Sequence, residues 1–380
     1  MGFPVRQRFW GRFPSRAFRA ARMIPRLSPR RRCTFTCLAA LCLMAFVFMS
    51  LNDVERRLDP EGPVQPTEDG SEVTMLLWHH PFGQPSTLPD CLERYRIGGC
   101  RITDDRRAYQ EADAVIIHHR DIGGAGPGAL PQEPRPGAQK WIWMNYESPT
   151  HTPGLARLEG IFNLTLSYRI DSDIFLPYGF LVPSSVGGAS HGSDRYLRTP
   201  SPSDLLRPRL LAWVVSNWNA SHRRVTFFRQ LQRHLPVDVY GGVGRPLAGS
   251  VVDLVREYQF YLALENSQHT DYITEKLWNP IEAGAIPVVL GPSRETYERF
   301  LPPEAFIHVD DFASAQELAQ YLLTLRRKPA LLMSHLRWRD SYRIHRPQFW
   351  SEHYCTACRA VRRTRGRTSV VQHLARWFRS

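Results

Sequence analysis

Residues 258–292 read YQFYLALENSQHTDYITEKLWNPIEAGAIPVVLGP. The apolar, aromatic run at 259–264 predicts a strand, and the polar residues at 265–271 predict a turn. Helical spacing follows at 272–283. The short, wholly apolar run at 286–290 marks a buried parallel strand. The segment therefore reads as one βαβ unit. Ligands of such sheets bind outside the carboxyl ends of the strands, where Glu265, Asn266, Tyr272, Glu275 and Lys276 fall. A cation beside a carboxylate near a helix start suits a ligand with a phosphate end and a hydroxylated end. A solvated helix face is the alternative for such a pair taken alone.

Outward from this unit the alternation continues. Upstream, strands are predicted at 210–215 and 237–240 around a helix at 222–234. Downstream, a helix at 294–300 and a strand at 305–309 precede helices from 314 on. A Ser-, Gly- and Pro-rich stretch at 183–207 sets a boundary. Before it lie predicted strands at 73–78, 114–117 and 141–144, a helix at 106–112 and a Gly-Pro loop at 123–137. Alternating elements in two blocks predict an α/β fold with two doubly wound domains facing a cleft. The expected limits are 73–200 and 205–350, with a tail at 351–380 packing back on the first domain.

The 380 residues carry a formal net charge of +13, but it sits at the ends. Residues 1–32 hold ten Arg and no acid, and residues 359–380 hold seven Arg and no acid. What remains is slightly acidic, so no basic face for nucleic acid is expected. Residues 33–51 form a 19-residue run without charge, long enough to span a bilayer. Arg30, Arg31 and Arg32 precede it, and Asp53 and Glu55 follow. The positive-inside rule then places the N-terminus in the cytoplasm and the bulk of the chain in the lumen. The acidic, Pro-containing residues 52–72 read as a stem. Outside the span, Cys91, Cys100, Cys355 and Cys358 remain, an even number suited to two disulfides in an oxidising compartment. Of the three possible pairings, two long-range bridges tying the C-terminal tail to the first block are favoured.

Several side chains are placed for chemistry. Glu147 follows a predicted strand in WIWMNYESPTHTPG, where it suits either a desolvated general base or a charge in a helical first turn. A helix start after 210–215, with Arg223 and Arg224, is a natural diphosphate site. Asp171-Ser172-Asp173 has the D-x-D form of a metal site bridging nucleotide phosphates, though an Asx turn or an ion pair with Arg169 accounts for it as well. Asn163 and Asn219 begin N-glycosylation sequons.

The segment 258–292, together with WMNYESPTHTPG and SYRIDSDIFLPYG, resembles the Golgi α1,3-fucosyltransferases over roughly residues 73–380. That resemblance implies a GT-B architecture of two Rossmann-like domains, GDP-fucose as donor and no required metal. It implies Glu147 as catalytic base. Tyr178, Val214, Ser216, Asn217, Arg224, Tyr261, Asn266, Tyr272, Glu275 and Lys276 would form the donor site. Gln84, His119 and Arg120 would read a lactosamine acceptor on glycoproteins or glycolipids. It further implies a Golgi membrane location and leaves a second copy of the chain as a candidate partner. A metal-dependent transferase using Asp171 and Asp173, or a glycan-binding protein without catalysis, are the competing readings.

Overall fold

The computed structural model describes residues 72–123, 129–184 and 207–380. The expected membrane span at 33–51, the cytoplasmic head, nearly all of the stem and most of the linker at 183–207 lie outside the described residues. Among the described residues no helix is long and apolar enough to cross a membrane.

The first block builds six parallel strands: β1 (Val73–Leu77), β2 (Cys100–Thr103), β3 (Ala114–His118), β4 (Lys140–Asn145), β5 (Leu164–Ser167) and β6 (Ile174–Phe175). Their order is β2-β1-β3-β4-β5-β6. Every residue of β1, β3 and β4 is buried, as near-continuous apolar runs require when both sheet faces are covered. Next comes β7 (Phe180–Pro183). The second block holds β8 (Arg209–Val215), β9 (Asp238–Gly241), β10 (Tyr258–Leu264), β11 (Ile286–Leu290) and β12 (Ile307–His308), in the order β12-β11-β10-β8-β9. All its pairings are parallel. In each sheet the chain reverses direction of strand addition once, between β1 and β3 and between β8 and β10. Those switch points open a crevice at the carboxyl ends of the strands.

The opening segment folds as one βαβ unit, with Phe260 opposite Ile286 and Leu264 opposite Leu290. Its helix, however, runs Glu275–Ala283, three residues later than periodicity predicts. Thr274 is extended, at φ −104° and ψ −169°, and its side chain accepts from Lys276 N–H, so the helix begins only after this cap. The helix predicted at 106–112 is only a short 3-10 turn, Arg106–Ala108. The helix Cys91–Tyr95 and strands β2, β5 and β6 are additions to the sequence reading.

After the second sheet the chain returns. β13 (Tyr342–His345) pairs antiparallel with β7, and the helix Ser351–Arg363 follows. Tyr354, Ala357, Cys358, Val361, Leu374 and Phe378 are buried in the same core as β1, β3 and β4. Disulfides Cys91–Cys355 and Cys100–Cys358 fasten this return. They are the two long-range bridges favoured above. Closing a loop of 264 residues stabilises by about 5 kcal/mol in the chain-entropy treatment.

Candidate active site

At the carboxyl edge of the second sheet, β8 ends at Val215 and hands over to Ser216 and Asn217, both exposed. The helix Arg223–Leu231 starts just beyond. Arg224 is buried, with 4% exposure. Its guanidinium donates to the Asn217 carbonyl, while its Nε has no protein partner. Burial lowers the Arg224 pKa against the pull of Glu265, Tyr272 and Glu275. A buried cation with a spare donor, at a helix start, is suited to an anion.

On the neighbouring strand, Tyr261 is buried against the Val214 backbone, and burial raises its phenol. Asn266 is half-buried and accepts from Ser267 Oγ at 2.9 Å. Lys276 Nζ lies 3.1 Å from Glu275 Oε1. Burial opposes ionisation of Glu275, but the Lys276 charge and hydrogen bond outweigh it and hold the carboxyl below its usual value. The Glu275 side chain remains 47% exposed, so its second oxygen is available to hydroxyl donors.

The first sheet supplies the opposite wall. Glu147 lies two residues past β4 and is half-buried. Asn145 clamps its backbone from both sides, Oδ1 accepting from Glu147 N–H at 3.3 Å and Nδ2 donating to Glu147 C=O at 3.2 Å. Its carboxylate makes no hydrogen bond or ion pair among the described residues. Ser148 begins the 3-10 turn Pro149–His151 without a side-chain cap, so the first-turn alternative for Glu147 finds no support. Tyr178 is raised by burial and by the charges of Tyr272, Glu275 and Glu147. Tyr272 is raised by burial and by Glu265 and Glu147. Both tyrosines thus feel the charge of Glu147 from the first sheet and of Glu275 from the second. Tyr272 also packs edge-on against Tyr168 at 5.2 Å between ring centres, and Thr150 meets His269 at 2.6 Å.

The expected acceptor residues separate. Gln84 is exposed, one turn beyond exposed Phe82. Arg120 is exposed, its guanidinium 6.0 Å from the Phe82 ring centre. His119 is different. It is 3% exposed, with Nε2 at 3.0 Å from the Pro153 carbonyl and Nδ1 accepting from Trp143 Nε1 at 3.1 Å. Burial lowers its pKa to about 4. His119 is thus a neutral packing residue in place of the acceptor contact expected from its position in HHRD. Phe82, Phe349 and Trp350 form an aromatic rim instead, with Phe349 5.1 Å from Tyr146 and Trp350 6.1 Å from Phe82.

Asp171 pairs with Arg169 at 2.8 Å, as the alternative reading of D-x-D has it. Asp173 Oδ2 accepts from Thr165 N–H and Oγ–H, each at 2.8 Å. Both line a cavity of about 270 Å³ with Asn163, Thr165 and Trp377 that contains none of the donor-site residues. Asn163 is committed to packing: Oδ1 accepts from Trp141 N–H at 2.9 Å and Nδ2 donates to the Ser369 carbonyl at 3.0 Å. Asn219 is exposed, its Oδ1 held by Ser221. The sequence placed Glu265 at this edge, but revealed neither its burial nor its partner. Glu265, the first residue after β10, looked like part of a polar turn, yet it is 1% exposed and paired to Lys276 at 3.2 Å.

Comparison with known proteins gives a consistent picture. A family model described as "Fucosyltransferase, N-terminal" matches residues 70–179, and one described as "Glycosyltransferase family 10 (fucosyltransferase) C-term" matches 206–377. Human alpha-(1,3)-fucosyltransferase 4 is 45% identical over 351 residues, covering 80% of this chain and 64% of that protein. The chain therefore spans less than two thirds of that relative's length. Human 4-galactosyl-N-acetylglucosaminide 3-alpha-L-fucosyltransferase FUT6 is 46% identical over 337 residues, covering 86% of this chain and 91% of its own. Among solved structures, an alpha1,3-fucosyltransferase with GDP-fucose shares the fold with a TM-score of 0.51 at 17% identity, over 83% of this chain and 96% of that one.

Proposed function

The chain belongs to glycosyltransferase family 10, the fucosyltransferases, and we propose that it is an inverting α1,3-fucosyltransferase of GT-B architecture. It moves L-fucose from GDP-β-L-fucose to the 3-hydroxyl of N-acetylglucosamine in lactosamine chains of glycoproteins and glycolipids. The Glu147 carboxylate takes the proton of that hydroxyl as its oxygen attacks the fucose anomeric carbon. The bond from that carbon to the diphosphate breaks on the opposite face, and the electron pair leaves on GDP. Arg224 and Lys276 receive the developing negative charge. Val214, Ser216, Asn217, Tyr261 and Asn266 hold the nucleotide, while Glu275, Tyr178 and Tyr272 orient the sugar. The protein cations meet the diphosphate charge, so no divalent metal is required.

One observation carries this reading: Tyr168 donates to the Glu147 carbonyl at 3.4 Å and packs edge-on against Tyr272 at 5.2 Å, which sets Glu147, its carboxylate without a partner among the described residues, next to the edge that carries the Lys276–Glu275 pair and buried Arg224. The acceptor approaches over the aromatic rim near Gln84 and Arg120. The uncharged run at 33–51 supports a single-span Golgi membrane protein with this site in the lumen. Incubating the lumenal part with GDP-fucose and N-acetyllactosamine tests the assignment. Formation of a 3-linked fucosyl product supports it, and donor hydrolysis without any transfer opposes it.

A further inference from the structure

Lys276 is held from below as well as from the side. Its Nζ lies 3.2 Å from Glu265 Oε2, 3.1 Å from Glu275 Oε1 and 2.9 Å from Thr274 Oγ1. The two carboxylates differ in kind. Glu275 is half-exposed at the cleft, whereas the Glu265 side chain is 1% exposed. Glu265 also accepts from the Thr274 backbone N–H at 2.8 Å and from its hydroxyl at 2.9 Å. Thr274 is the residue that caps the helix carrying Lys276. Glu265 itself is fastened at the strand end, its N–H donating to the Leu290 carbonyl at 2.7 Å. Gly291 leaves it room: a Cβ there would stand 3.1 Å from Glu265 Cγ and 2.5 Å from the Tyr297 hydroxyl.

We propose that Glu265 is a positioning residue for the donor diphosphate, fixing the Lys276 ammonium and the start of its helix from beneath. It does not touch the donor. The proposal rests on the donor-site reading above, in which Lys276 meets the phosphates. Burial alone would lower the Lys276 pKa, but the charges of Glu265 and Glu275 and the hydrogen bonds to both hold the ammonium above its usual value. Burial pushes the Glu265 carboxyl up, while Lys276 and the Thr274 donors pull it back. Besides Glu275, the charged and titratable groups that feel Glu265 are Arg224, Tyr168, Tyr178, Tyr261, Tyr272 and Tyr297. Removing a buried negative charge should, by simple electrostatics, help a phosphate bind. A positioning role predicts the reverse, which makes the sign of the effect decisive.

The test is GDP affinity and the pH profile of kcat/KM for Glu265→Gln, Glu265→Asp, Lys276→Ala and the Glu265→Gln/Lys276→Ala pair. Glu265→Gln is expected to weaken GDP binding about tenfold. With its partner gone, the Lys276 pKa falls, so activity is lost on the alkaline side about 1–3 pH units earlier. Glu265→Asp keeps the charge and returns that limb to its native position. The double variant is no worse than Lys276→Ala, because both act through one ammonium. GDP binding that is unchanged or tighter in Glu265→Gln, a native alkaline limb, or additive losses would overturn the proposal. If Glu265→Gln does not fold, additivity between Glu265→Asp and Lys276→Ala would overturn it. Native GDP affinity in Lys276→Ala alone would instead overturn the donor-site reading beneath it.

Discussion

Tyr178 donates its phenolic hydrogen to the backbone carbonyl of Tyr146 at 2.6 Å, the peptide unit that leads into Glu147. Tyr146 answers by donating its own hydroxyl to the Leu176 carbonyl at 2.8 Å. Two crossed hydrogen bonds thus lock the end of β4 to the segment joining β6 and β7. Glu147, the proposed base, and Tyr178, proposed to orient the sugar, are set by the same pair of contacts. Tyr178→Phe removes one of them, at about 0.5–1.5 kcal/mol. A fall of roughly threefold to tenfold in kcat/KM is expected, with GDP affinity nearly unchanged, as steady-state kinetics and calorimetry would show.

Gly179 is the next residue, and its backbone lies on the Trp278 ring. A Cβ there would come within 2.5 Å of the indole. Gly179→Ala should destabilise by roughly 1–3 kcal/mol through overpacking and displace Tyr178. A melting-temperature drop with a larger fractional loss of kcat than of stability would show both effects.

Much of this was legible in the residues themselves. The runs at 259–264 and 286–290 could only be buried strands, and they fixed the second sheet. Glu265 was legible as an edge residue but not as a buried one, because a polar residue after a strand reads as a turn. Its burial exists only once the helix Glu275–Ala283 folds back over it. The helix Ser351–Arg363 was hidden by Arg359, Arg362 and Arg363, although Tyr354, Cys358 and Val361 already carried the helical spacing of a buried face. His119 misled in the opposite direction: proximity to Arg120 in sequence suggested a shared task, whereas both lie in the helical turn His119–Ile122, where consecutive side chains diverge by about 100°.

Cys91 and Cys355 are both essentially inaccessible, at 1% and 0% exposure. Replacing both with serine leaves Cys100–Cys358 to fasten the C-terminal helix to the first core. A loss of about 2 kcal/mol is expected, read as a lower denaturation midpoint under oxidising conditions.

The carboxylates of Asp171 and Asp173 are engaged by Arg169 and Thr165. Transfer should therefore survive a chelator. Asp173→Asn should leave kcat within about threefold while lowering stability by about 0.5–1.5 kcal/mol, the net worth of a partly exposed hydrogen bond. Loss of turnover on chelation, restored by a divalent ion, would return those residues to the mechanism.

Arg224 carries a buried donor without a protein partner. Arg224→Lys keeps the charge and loses the fork. Turnover should fall about 10²–10³-fold, by analogy with the loss of one transition-state donor, and GDP affinity should fall with it.

The central claim is that Glu147 removes the acceptor proton beside an intact donor site. The direct measurement pairs single-turnover fucose transfer with GDP binding in Glu147→Gln. Loss of a positioned base should slow transfer by about 10²–10⁴-fold while GDP binds as in the native protein. Transfer at native rate, or loss of GDP binding in step with activity, would contradict the account and leave Glu147 a structural residue.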